Sequence, residues 1–175
     1  MDSQKKKWIL LAAIIVLFVV FTTPLSHLSF LGNYNGAEFT EQDLLTAEEI
    51  NDFMVVWPKF LRSEIGATFL SISLNDSNEI PSQVLRWFTA QGWSAKRFLA
   101  VEQRLRKLVE IAYLQNNLAS NMELQQKSSG ANLRDIIKSQ KDRLGAAKYN
   151  PKELELVSAN LYQISQVLDG KAVIE

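Results

Sequence analysis

From Ser94 to Lys127 the chain contains neither glycine nor proline, and apolar residues recur there every three or four positions. Phe98, Val101, Leu105, Leu108, Ala112, Ala119 and Met122 form the series, with Gln115 the one polar residue in register. That spacing is the turn of an α-helix, so the stretch predicts a single helix roughly 50 Å long. Ile111, Leu114 and Leu118 widen the stripe beyond the narrow seam of a two-stranded coiled coil. The helix is therefore expected at the centre of a bundle. The same stripe leaves room for a homo-oligomer formed through residues 94–127.

The flanking segments are punctuated as helices too. Thr46 followed by Glu49 fits a capping box, and Leu45 and Ile50 occupy the two positions of a hydrophobic staple. Ile50, Phe53, Met54, Trp57, Phe60 and Leu61 then keep the helical period. Pro58 lacks an amide hydrogen and is expected to kink or split this helix near Trp57, with Gly66 as its stop. Residues 67–74 alternate in part, but a lone strand has no partner elsewhere in the chain. They are read as an extended or short helical connector into the turn cluster Asn75–Asn78. Pro81 suits the first position of a short helix carrying Val84, Leu85, Trp87 and Phe88 and ending at Gly92.

Ser94 opens the long helix, with Trp93 and Phe98 as its staple, and Ser128, Ser129 and Gly130 break it. Leu133, Ile136, Ile137 and Leu144 mark a further helix that stops at Gly145. Asn150 and Pro151 start the last one, capped with Tyr149 and Leu154 as staple, and its face of Leu154, Val157, Leu161, Ile164 and Leu168 runs to Gly170. The expected fold class is all-α: a compact bundle of about five helices over residues 40–170, its short connections implying antiparallel neighbours, with residues 171–175 frayed.

Topology is written at the other end. Residues 8–21, WILLAAIIVLFVVF, carry no charge and directly follow Lys5, Lys6 and Lys7. A bilayer-crossing helix needs roughly 20 residues, and Thr22, Thr23, Pro24 and Leu25 extend the run at low cost. The reading is a cytoplasmic basic tail at 1–7, a transmembrane signal-anchor helix at 8–25 and a juxtamembrane tether at 26–39. A cleaved signal peptide is the alternative, although the following residues offer no small-x-small site. The next lysine or arginine after the run is Lys59. That asymmetry places the N-terminus inside and the bulk of the chain periplasmic or extracellular, as a single-pass protein of the cytoplasmic (inner) membrane.

The chemistry available to the domain is narrow. There is no cysteine, and the one histidine, His27, falls in the tether. Thiolate nucleophiles, histidine bases and multi-histidine metal sites are excluded, and the solitary glycines make no phosphate loop. No cofactor or metal is expected. Glycan cleavage needs carboxylates alone, so a carboxylate-dependent cell-wall enzyme stays open as an alternative, with Glu64 as its acid and no second catalytic element beside it.

Charge is uneven although the total is zero. Glu38, Glu41, Asp43, Glu48, Glu49 and Asp52 crowd residues 38–52, while Lys96, Arg97, Arg104, Arg106 and Lys107 crowd the start of the long helix. Lys96, Arg97, Arg104 and Lys107 share about a quarter of its circumference. They are a solvated flank, internal partners of the acidic segment, or a site for an anionic partner such as an envelope protein, a lipid head group or a cell-wall polymer. Nucleic acid is disfavoured by topology and neutral charge. Trp57, Trp87 and Trp93 are core residues or, where exposed, an aromatic partner site; Trp8 suits an interfacial belt. The functional expectation is a membrane-anchored extracytoplasmic interaction module acting as an assembly, scaffold or accessory factor. A secreted ligand-binding bundle is a further alternative.

Overall fold

A computed structural model describes residues 44–72, 80–127 and 131–171, and these contain seven helices and no strand. The segments expected to form the cytoplasmic tail, the signal anchor and the tether, and the last four residues, lie outside the described residues. No described helix is long and apolar enough to cross a membrane.

Helix α1 (Ala47–Arg62) begins as its cap predicts: the Thr46 hydroxyl accepts from the Glu49 amide at 3.1 Å, and Leu45 and Ile50 are both buried. Pro58 does not split it. The break falls five residues later at Ser63, whose backbone is extended. The Ser63 hydroxyl donates to the Phe60 carbonyl at 2.7 Å and accepts from the Gly66 amide at 2.9 Å, so one side chain closes α1 and opens α2 (Glu64–Ile72). Gly66 is thus in the first turn of a new helix, not the stop of the old one. A Cβ there would lie 1.9 Å from the Phe60 carbonyl oxygen, and only glycine permits so sharp a corner. The expected connector at 67–74 is consequently helical as far as Ile72.

Helix α3 (Ser82–Ala90) ends at Gly92, which takes φ +82° while the Trp93 amide returns to the Phe88 carbonyl at 2.9 Å. The long helix α4 (Ala95–Lys127) starts where expected: the Ser94 hydroxyl accepts from the Arg97 amide at 3.1 Å, and the Trp93 and Phe98 rings meet edge to face 5.0 Å apart. Helix α5 (Ala131–Ala146) packs on it. The final expected helix is two: α6 (Pro151–Ala159) and α7 (Leu161–Leu168), separated by Asn160 at φ −124°. The Asn150 side chain caps α6 by accepting from the Lys152 amide at 2.9 Å.

The count is therefore seven where periodicity suggested about five, and both extra boundaries serve packing. Breaking at Ser63 lets α2 reach both α1 and α3, and breaking at Asn160 lets α7 touch α1 as well as α4. Helix α4 is the centre, in contact with α1, α3, α5, α6 and α7. The core around its first half is aromatic: Phe98 lies 4.9 Å from Phe53, 4.5 Å from Phe88 and 6.0 Å from Trp57.

Candidate interaction surface

The basic cluster at the start of α4 divides in the folded chain. Arg97 makes a two-pronged ion pair with Glu49 of α1, Nε to Oε1 at 2.6 Å and Nη2 to Oε2 at 2.7 Å. The Glu49 amide is therefore capped by the Thr46 hydroxyl while the Glu49 carboxylate turns away to α4, so only half of the capping box forms. Arg104 pairs with Glu153 at the start of α6, Nε donating to Oε2 at 2.9 Å, and the other Glu153 oxygen accepts from the Leu45 amide at 2.7 Å. Glu153 is almost wholly buried. One carboxylate thereby fastens the point where the chain enters the domain to α4 and α6, in a setting where a charge is tolerable only because both oxygens have donors.

Lys96 and Lys107 remain exposed. The four residues sharing a face thus separate into two arginines with intramolecular carboxylates and two lysines facing solvent. Arg106, next to them in sequence, bonds both Glu102 and the Leu168 carbonyl that ends α7, the latter at 3.0 Å. Glu102 is buried, and that burial pushes its carboxyl above the ordinary carboxylate range, only partly countered by the Arg106 charge.

Of the tryptophans, Trp57 is 3% and Trp93 9% exposed, both packed against Phe98. Their indole Nε1 atoms are buried without a hydrogen-bond partner. Trp87 is half-buried and edge-on to Phe88, the rings 5.2 Å apart. The aromatic residues thus turn mainly inward, and Trp87 alone of the three has an outer edge. Glu64 is exposed in the first turn of α2. Among the described residues no group of three histidine, cysteine, aspartate or glutamate side chains is arranged to hold a metal.

Two features went unremarked in the sequence, one on the surface and one buried. Arg134, Lys138 and Lys141 are exposed along one face of α5, a row legible from its i, i+4, i+7 spacing. Glu153 reads from sequence as a capping residue, and nothing local marks it as the partner of a side chain 49 residues away. Comparison of the chain with protein-family models, with curated proteins and with solved structures found no match.

Proposed function

We propose that the protein is a membrane-anchored extracytoplasmic helical module that acts by binding another component of the cell envelope, as an assembly, scaffold or accessory factor. The observation that carries this reading is the uncharged run 8–21 behind three lysines, with no further lysine or arginine until Lys59. The domain that follows supports it in two ways. Its ionisable core groups are engaged in holding helices together, and its long central helix runs on past the core with a second helix alongside.

Exposed Lys96 and Lys107 are the part of the α4 basic face accessible to an anionic envelope protein or polymer, and Trp87 is the aromatic with an outer edge. Arg97 and Arg104 contribute to that face only by sharing their charge with Glu49 and Glu153. The direct test is fractionation and protease accessibility of the full chain. The expected result is a membrane-bound protein whose domain is digested only from the extracytoplasmic side, and which becomes soluble when residues 1–25 are deleted. A full chain found soluble, or a domain protected on the outside and cut from the inside, overturns the reading. A second test replaces Lys96 and Lys107 by glutamate. Loss of association with envelope components at unchanged helicity is expected; undiminished association moves the site elsewhere.

A further inference from the structure

The Glu153 carboxylate fixes where the N-terminal part of the chain enters the domain. Its Oε1 accepts from the Leu45 amide at 2.7 Å and its Oε2 from Arg104 Nε at 2.9 Å, so Leu45 sits beside α4 at Arg104 and beside the first turn of α6. A second contact sets the heading of the chain there. Glu49 pairs with Arg97, so stepping back from Glu49 to Leu45 moves forward along α4 from Arg97 to Arg104. Continued in the same direction, the chain meets the turn of α4 that follows Arg104.

Lys107 is on that turn, about 4.5 Å further along the axis and about 60° around it from Arg104. It is exposed, as is Lys152 next to Glu153 in α6, and neither belongs to an ion pair among the described residues. Glu110, the next acid along α4 from Lys107, is engaged with Arg143. The entry point is therefore flanked by two lysines whose charge no described carboxylate neutralises by contact. Lys96 lies the other way along α4, beyond the Arg97–Glu49 pair.

The chain leading to Leu45 carries the complementary charge. Residues 38–43 hold Glu38, Glu41 and Asp43, and no lysine or arginine stands between Lys7 and Lys59. At about 3.5 Å per residue, Asp43 can be no further than about 7 Å from Leu45, and Glu41 no further than about 14 Å. Both can reach the two lysines.

We infer that residues 38–43 form an acidic strap over Lys107 and Lys152, an internal occupant of the basic face at its α4–α6 end. Connectivity selects this occupant over a dissolved anion of the same charge, because a short covalent link holds it at an effective concentration on the order of millimolar. Single exposed ion pairs are weak, so the strap is displaceable. Its consequence rests on the proposed binding of an anionic partner: that partner gains Lys107 only by displacing the strap, while Lys96 stays open to it.

The chain has no cysteine, so an engineered pair reports the contact. Thr40→Cys with Gln103→Cys, one turn before Lys107, leaves every charge in place. In the purified full chain at low salt, the intramolecular disulfide, read by intact mass after alkylation, should close about threefold faster than when Lys107→Glu and Lys152→Glu are added. Adding Glu41→Lys and Asp43→Lys to those reversals should restore fast closure, and about 1 M salt should slow the native-charge pair. Closure indifferent to the lysine reversals or to salt, or not recovered by the swap, overturns the inference. Displacement is read with poly-glutamate as the anionic probe. Glu38→Gln, Glu41→Gln and Asp43→Gln together should tighten its binding about threefold, and equal binding overturns the competition. The disulfide measurement needs no membrane, so a full chain found soluble overturns the anchor and leaves the strap standing. A membrane-bound chain with charge-independent closure does the reverse.

Discussion

The two halves of α4 are one continuous helix with opposite surroundings. Up to Ala112 it is enclosed, and an all-aromatic layer of Phe53, Trp57, Phe88 and Trp93 closes around Phe98. Carboxylates of α1 and α6 bolt that half at Arg97 and Arg104, and Arg106 donates to the Leu168 carbonyl at the end of α7. Past Ala112 it meets chiefly α5, through leucines that are half-buried and a polar amide pair. The same periodic sequence thus builds a rigid hub at one end and a thinly covered arm at the other. Stability concentrates where rings and paired charges exclude water.

The sharpest way to break that contrast is to cut the hub. Phe98→Ala removes a ring with no solvent exposure, and a loss of about 3–5 kcal/mol in urea unfolding is expected. Nearly as large is Glu153→Ala, which strands the Arg104 guanidinium and the Leu45 amide in a buried setting at a cost of about 3–5 kcal/mol, at the lower end because Arg104 is partly exposed. Gly66→Ala forces the α1–α2 corner open and should cost about 1–3 kcal/mol, read by the same unfolding curves.

Smaller still is the effect of Glu102, which appears as a slope with pH. Burial raises its folded pKa, so the folded state holds the proton longer than the unfolded chain does. Stability therefore falls as pH rises from the ordinary carboxylate range through the raised value, and levels off above it. Urea midpoints of the wild type relative to Glu102→Gln should decline over that window; a rising difference would contradict the burial effect. The smallest change belongs to the arm: Ile136→Ser is expected to shift monomer stability by no more than about 0.5 kcal/mol. Amide exchange in α5 should be faster than in the first half of α4. Equal protection in both regions would erase the distinction between hub and arm.

Much of the hub was legible residue by residue. Thr46, Ser94 and Asn150 cap the helices they were expected to cap, Trp93 meets Phe98 as a staple, and Gly92 and Gly170 take the positive φ of helix ends. These signals act within a few residues, where spacing along the chain is also spacing in space. The misreadings share the opposite cause. Pro58 is a strong local breaker, yet α1 passes through it and bends at Ser63, because the corner there carries α2 back to α1 and on to α3. Asn160 divides an apolar face that looks continuous on paper. The basic face at Lys96, Arg97, Arg104 and Lys107 was visible as a face, but its division between engaged arginines and exposed lysines was not.

The sequence alone determined that the described chain is helical, where most of those helices begin and end, and which kinds of chemistry a chain with no cysteine and one histidine lacks. Those are consequences of composition and of contacts between near neighbours. Only the tertiary structure decided which charges neutralise one another, which tryptophans close inward, and that the long helix outruns its core. A side chain's partner across 49 residues depends on how whole helices dock, and docking is chosen by the packing of the entire aromatic layer rather than by any local pattern.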